Sequence, residues 1–87
     1  MKPFEPNGEA KIRVTHTWNP PGRVVREATE PARVTKKLVA LRGSTRMDRA
    51  TGRDRSPSYG GLSHYEYHLL AYRIGDGAWV TLTEGDA

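Results

Sequence analysis

Polar and apolar side chains alternate over residues 11–18, and this alternation constrains the fold more than any other feature of the chain. One side of an extended segment would be mainly apolar and the other polar: Ile12, Val14, His16 and Trp18 against Lys11, Arg13, Thr15 and Thr17. A period of two is typical of a half-buried β-strand. We expect the strand to end at residues 19–22, Asn-Pro-Pro-Gly, because proline lacks the N–H that a sheet uses and glycine permits a turn. Residues 23–27 would then form the returning strand of a hairpin.

A helix is predicted over residues 31–42. Its start carries an N-cap, an acidic residue and a first-turn proline, in the order Thr29, Glu30, Pro31. The apolar residues that would line one face recur at helical spacing, and a C-terminal stop follows at Gly43: Val34, Leu38 and Leu41. Residues 34–41 also alternate loosely, as a further strand would, but the cap, the apolar stripe and the glycine agree with one another and favour the helix.

A second hairpin is predicted near the C-terminus. Residues 62–74 are rich in aromatic and aliphatic side chains, Gly75-Asp76-Gly77 is typical of a tight turn, and residues 78–83 would return. Residues 43–61 contain four glycines, three serines and four arginines, a composition typical of a mobile basic loop. Residues 1–10 carry two prolines and a glycine and are predicted to be an irregular leader.

These elements predict a single α+β domain over residues 1–87, in the order β-β-α-loop-β-β. One helix would pack on a four-stranded, mainly antiparallel sheet. The absence of cysteine excludes disulfides, thiolate metal sites and cysteine nucleophiles. No apolar run approaches the roughly 18 residues that cross a bilayer. We therefore expect a cytoplasmic protein with no membrane contact and no cofactor, and homo-oligomerisation stays open.

Charge is distributed unevenly along the chain. Residues 11–55 hold twelve of the fourteen Lys and Arg residues but only four of the ten Asp and Glu residues. The middle of the chain is therefore cationic and both flanks are mildly anionic. Such asymmetry indicates an anionic partner, most often nucleic acid. The alternative is a basic face that only keeps the protein in solution.

The predicted binding surface centres on the helix. Arg33, Lys36 and Lys37 would share one face, because positions three and four apart are neighbours on a helix. The loop and the first strand would extend this patch with further basic residues: Arg46, Arg49, Arg53, Arg55, Lys11 and Arg13. Two aromatic residues are candidates for stacking against bases: Tyr65 and Tyr67.

One catalytic class is compatible with the composition. Small toxin-type ribonucleases cut RNA without a metal, using Arg, His, Lys and Tyr, and His68, Tyr72 and Arg73 would carry that reaction here. The proline-rich turn after the first strand and the acidic C-terminus disfavour this alternative. His64 and His68 flank Glu66, but on a strand the imidazoles would lie about 13 Å apart, so no metal site is expected.

The element order and the closing hairpin, Leu70-Ala71-Tyr72-Arg73 followed by Trp79-Val80, resemble those of small phage-encoded anti-CRISPR proteins. The resemblance implies a stoichiometric inhibitor of a CRISPR surveillance complex rather than a catalyst. Taken together, these observations favour a non-enzymatic protein that binds nucleic acid or the acidic surface of a nucleic-acid-handling complex. A metal-independent ribonuclease and a small structural subunit of a larger assembly are the alternatives. The sequence leaves open whether the ligand is DNA, RNA, a protein or a nucleotide.

Overall fold

The computed structural model describes residues 3–18, 20–55 and 64–82. Six strands occur in these ranges: β1 (Gly8–His16), β2 (Val24–Val34), β3 (Leu38–Ala40), β4 (Arg46–Asp48), β5 (Tyr65–Ile74) and β6 (Val80–Thr81). They form one antiparallel sheet in the order β4-β3-β2-β1-β5-β6, with the three long strands at its centre. The described ranges contain no helix, and hence none long and apolar enough to cross a membrane.

The sheet curls until the chain beyond β4 reaches β5, which gives a half-barrel. β6 pairs only with Ala71 and Tyr72, so the first part of β5 has one backbone edge that β6 does not cover. On that side the backbone N–H of Leu69 donates to the carbonyl of Gly52 at 3.0 Å, and that of Tyr67 donates to Asp54 Oδ2 at 2.9 Å. The segment after β4 therefore satisfies backbone donors that would otherwise be left without a partner.

The core lies on the concave face of the sheet, which we call the inner face. Ten residues form it: Ala10, Ile12, Val14, Ala32, Val34, Val39, Leu41, Met47, Leu69 and Tyr72. Leu69 and Tyr72 are three apart, so a regular strand would place them on opposite faces. The pairing of β1 with β5 shifts register between Lys11 and Ile12, and this bulge turns both side chains inward.

The helix predicted over residues 31–42 is wrong, and the α+β assignment is wrong with it. The expected cap lies inside β2, and residues 35–37 turn the chain into β3. Val34 pairs with Val39, and Val39 pairs with Met47, so cross-strand packing buries these apolar side chains. Capping and helix propensity are weak signals that such tertiary burial overrides. The β-β-α-β-β order behind the anti-CRISPR resemblance is therefore not present in the described residues, and the resemblance itself stays a prediction.

Pro31 shows why a helix-start signal is compatible with a strand. It pairs with Glu9 of β1 on one side of β2. On the other side, β3 pairs only with Arg33 and Val34, so β2 is an edge strand at this point among the described residues. A residue without an N–H is tolerated at such an edge.

Two segments predicted to be irregular contain regular structure. β1 begins at Gly8, inside the expected leader, and the side-chain amide of Asn7 extends its pairing by bonding both backbone groups of Val34 at 2.7 and 3.0 Å. β4 lies inside the expected loop, where residues 43–55 form a hairpin with β3 and a turn against β5. Residues 56–61 of that loop lie outside the described residues.

Candidate nucleic-acid interface

The end of β1, the β1–β2 turn and the start of β5 meet at one end of the half-barrel. Five side chains line an open cleft of about 310 Å³ there, and we call this set the aromatic end: His16, Trp18, Arg23, His64 and Tyr65. The backbone brings them together. Residues 16 and 65 are direct partners across β1 and β5, and the N–H of Thr17 donates to the carbonyl of His64 at 3.0 Å. Gly22, with a φ of 86°, turns the chain so that Arg23 returns beside His16.

Two large rings at the aromatic end are exposed. Trp18 is 54% exposed and Tyr65 is 48% exposed. Each ring lies against an imidazole: Tyr65 and His16 have centroids 5.2 Å apart, and Trp18 and His64 have centroids 5.5 Å apart. The indole N–H of Trp18 donates to Nδ1 of His64 at 2.5 Å. Each ring is therefore held against an imidazole, while about half of the surface of Trp18 and of Tyr65 remains exposed to solvent.

Arg23 supplies positive charge beside these rings. Its guanidinium donates to Nε2 of His16 at 2.6 Å, because arginine has no acceptor and the imidazole nitrogen must accept. No carboxylate pairs with Arg23 among the described residues. Two exposed valines, Val24 and Val25, continue the apolar surface into β2. The cleft thus combines two exposed rings with a guanidinium that pairs with no carboxylate in the part of the chain that the structure describes.

A neighbouring cleft of about 410 Å³ contains His68 but no catalytic relay. Nε2 of His68 lies 3.0 Å from Oγ1 of Thr15 and 3.3 Å from Oε1 of Glu66. Both contacts use the same imidazole nitrogen, whereas a hydroxyl–histidine–carboxylate relay uses one nitrogen for each partner. Arg13, in the same cleft, is bonded to Glu27 at 2.7 Å.

The three residues predicted for a ribonuclease do not share a site. Tyr72 lies on the inner face, where its hydroxyl accepts a bond from Nε of Arg49 at 2.8 Å. Arg73 lies on the opposite face, paired with Glu9, and His68 is five residues further back along β5. At about 3.3 Å per residue, His68 and Arg73 are separated by roughly 16 Å, which is too far for both side chains to act on one phosphate.

The basic residues predicted for one patch are dispersed by the sheet. Lys11, Arg13 and Arg33 lie on the outer face, and Arg46 lies on β4. Lys11 stacks over Trp79 with Nζ 4.5 Å from the ring centroid, and Arg73 stacks on the same ring at 4.9 Å. Arg53 and Arg55 follow the β4 turn and are exposed. The predicted patch is therefore not a single surface.

Three of the predicted cations do come together. Lys36, Lys37 and Arg49 line a cleft of about 420 Å³ with Asp48, Ala50, Tyr72 and Leu82, and we call this the lysine cleft. It is formed by the β2–β3 turn and the turn after β4. Two backbone N–H groups donate to the carboxylate of Asp48, and these bonds from Thr51 and Ala50 hold the pKa of Asp48 below its usual value.

Of the two predicted stacking residues, only Tyr65 is exposed at the aromatic end. Tyr67 is half-buried on the inner face beside Arg26. The guanidinium of Arg26 donates to the carboxylate of Glu30 at 3.0 Å, and this bond raises the pKa of Arg26. A side-chain hydrogen bond between Arg26 and Tyr67 raises it further.

Sequence reasoning missed Trp18, Arg23 and the two histidines as binding candidates. For His16, Trp18 and Arg23 the available signal was their position beside the proline-rich turn at residues 19–22, whereas His64 lies 42 residues further along the chain and carried no such signal.

No group of three or more potential metal ligands occurs in residues 3–18, 20–55 and 64–82. His64 and His68 contact different partners, Trp18 and Thr15. Comparison of the chain with models of protein families, with curated proteins and with solved structures gave no match. The geometry of the aromatic end is therefore the basis for assigning a function.

Proposed function

We propose that this protein binds single-stranded nucleic acid through the aromatic end. The observation that carries the proposal is the exposure of Trp18 and Tyr65 beside Arg23, in one cleft at the end of the sheet. Exposed large rings are costly in water, and a base stacked on each ring would cover them. The positive charge of the chain and the guanidinium of Arg23, which pairs with no carboxylate among the described residues, favour a polyanion. Binding without catalysis, in the cytoplasm, is part of this proposal.

A single strand suits the cleft better than a duplex. Bases in a duplex are stacked on one another, so their faces are not available to protein rings, whereas an unpaired base presents both faces. Stacking on indole and phenol tolerates any base, because every base has a π face. We therefore expect weak sequence preference and a strong dependence on salt.

The proposal is tested by fluorescence anisotropy with labelled single-stranded DNA, RNA and duplex DNA of one sequence. Replacing Trp18 or Tyr65 by alanine should weaken single-strand binding by about five- to 150-fold for each ring, since stacking on one base contributes about 1–3 kcal/mol. Ile74→Ala is the matched control: it removes a side chain that is 52% exposed from the other end of β5. Arg23→Gln should lower the log–log salt slope by about one unit.

Equal affinity of the wild type and Trp18→Ala for the single strand would refute the proposal. Absence of oligonucleotide binding at low salt would favour the acidic surface of a nucleic-acid-handling protein as the partner. Multiple-turnover cleavage of RNA would favour the ribonuclease. The three outcomes are distinguished by the same titration followed by gel analysis of the RNA.

A further inference from the structure

We propose that the lysine cleft is a second binding site, which takes a nucleoside phosphate through its terminal phosphomonoester. This inference does not depend on the aromatic end, because the two clefts share no residue. It rests on three features of the cleft: an excess of positive charge, a guanidinium held in a fixed orientation, and an apolar wall.

The charge of the cleft matches that of a phosphomonoester. Three cations and one carboxylate line it, which leaves an excess of two positive charges. Lys36 and Lys37 are exposed and form no ion pair among the described residues. One oxygen of the Asp48 carboxylate, Oδ1, accepts from the backbone N–H groups of Ala50 and Thr51, each at 2.9 Å. A terminal phosphate carries close to two negative charges near neutral pH, whereas an internal phosphodiester carries one.

The guanidinium of Arg49 is oriented before any ligand arrives. Its Nε donates to the hydroxyl of Tyr72 at 2.8 Å, and its NH1 donates to the carbonyl of Thr35 at 2.9 Å. Its backbone N–H donates to the carbonyl of Lys37 at 2.9 Å, which fixes the two turns relative to each other. The remaining N–H groups of the guanidinium are left for a ligand oxygen, and little side-chain entropy is lost when they bind it.

Part of the lining of the cleft is apolar. Ala50, Tyr72 and Leu82 line it, and the volume of about 420 Å³ falls within the range of small-molecule sites. Inorganic phosphate would use the cations but leave this wall in contact with water. A nucleoside attached to the phosphate would cover the wall, and we therefore expect it to bind more tightly than phosphate alone.

The test is a titration of ¹⁵N-labelled protein with adenosine 5′-monophosphate, inorganic phosphate and adenosine at low salt, followed by NMR. The monophosphate should bind at least about tenfold more tightly than phosphate or adenosine, with the largest shifts at the amides of residues 36, 37 and 49–51. The double variant Lys36→Gln/Lys37→Gln should weaken this binding by about tenfold or more, because each lysine contributes charge-assisted contacts. Arg33→Gln removes an exposed cation outside the cleft and should have no effect.

The terminal phosphate could belong to a free nucleotide or to the end of a nucleic-acid strand. Comparing the affinities of oligonucleotides that carry a 5′-phosphate or a 5′-hydroxyl distinguishes these two sources. A preference for the phosphorylated strand that disappears in the double lysine variant assigns the site to strand ends. Binding of the free monophosphate alone assigns it to nucleotides. Three results would overturn the proposal. The protein would bind neither the monophosphate nor a strand-end phosphate at millimolar ligand, it would bind inorganic phosphate as tightly as the monophosphate, or the double lysine variant would bind the monophosphate as tightly as wild type does.

The variant Trp18→Ala keeps the two proposals apart. It should lose affinity for single strands that carry a 5′-hydroxyl and retain the affinity of wild type for adenosine 5′-monophosphate. Loss of monophosphate binding in Trp18→Ala, with wild-type amide spectra elsewhere, would place the ligand at the aromatic end and contradict a separate lysine site.

Discussion

Tyr65 and Tyr72 lie on the same strand and both belong to its inner face, yet they differ completely in exposure. Tyr65 is 48% exposed at the aromatic end, whereas Tyr72 is 7% exposed at the floor of the lysine cleft. The difference comes from what covers each ring. Arg49 of the turn after β4 lies over the ring of Tyr72, and Leu82 lines the same cleft, whereas Tyr65 lies against His16 and stays largely exposed. The curl of the sheet therefore decides which aromatic residue is core and which is surface.

The two clefts use arginine and aromatic residues in opposite ways. At the aromatic end the rings face solvent and the single arginine is bonded to a histidine. In the lysine cleft the ring is buried and hydrogen-bonded, and the lysines face solvent. The first arrangement suits contact with base faces, and the second suits contact with phosphate. The same residue types thus present different chemistry at the two ends.

The largest effect on stability is expected from Gly52→Ala, in the turn that forms the lysine cleft. Gly52 has a φ of +79°, and an added Cβ would lie 2.6 Å from the carbonyl oxygen of Leu69. Positive φ costs alanine about 1–2 kcal/mol, and displacement of the bonded β5 backbone adds a similar amount, so the free energy of unfolding should fall by about 2–4 kcal/mol. Urea denaturation followed by circular dichroism measures it.

Gly22→Ala at the aromatic end is the matched control for this substitution. Gly22 has a φ of +86°, and no atom lies within 4 Å of its added Cβ. Gly22→Ala should therefore lower the free energy of unfolding only by the cost of backbone strain, about 1–2 kcal/mol. If the two substitutions lowered the free energy of unfolding equally, the contact between residue 52 and β5 would contribute nothing to stability. That result would contradict the conclusion that the turn after β4 supports the curl of the sheet at β5.

A smaller effect is expected from Tyr72→Phe, which removes the acceptor for Nε of Arg49 but keeps the ring. A part-buried hydrogen bond contributes about 1 kcal/mol, so the free energy of unfolding should fall by about that amount. The freed guanidinium should also bind adenosine 5′-monophosphate more weakly, while single-strand affinity at the aromatic end stays unchanged. Equal loss of affinity for both ligands would mean that the two clefts are coupled through the sheet.

The smallest effect concerns the acid stability contributed by Asp48. The bonds from the backbone N–H groups of Thr51 and Ala50 lower its pKa in the folded protein. Its contribution to stability is therefore present above the unfolded pKa of about 4 and is lost as pH falls through the lower folded value. Asp48→Asn keeps an acceptor oxygen without the charge, so the melting temperature should depend less on pH below about pH 4 than in wild type. An identical pH profile would contradict this role.

Part of the fold follows from local pattern. The alternation around Ile12 and Val14 predicts β1, and Gly75-Asp76-Gly77 predicts the last hairpin, where the N–H of Gly77 donates to the carbonyl of Ile74 at 3.0 Å. These predictions succeed because period-two burial and turn chemistry act over a few residues. The predicted helix fails because Val34, Val39 and Met47 are buried by strands on either side, a condition that no local window contains.

The charge, the alternation of β1 and the closing turn follow from the order of residues alone, because each is a property of residues that are neighbours in the chain. Contacts between distant residues depend instead on how the strands pair and curl. His16 and His64 are 48 positions apart and Lys37 and Arg49 are 12 apart, yet each pair lines one cleft. Residues in a curled sheet are brought together by strand order and bulges, which depend on long-range pairing and on burial of a shared core. The clefts arise from that pairing, and for this reason the residues of the predicted basic patch are divided, while Tyr65, predicted as a stacking residue, lies beside Trp18, which was not.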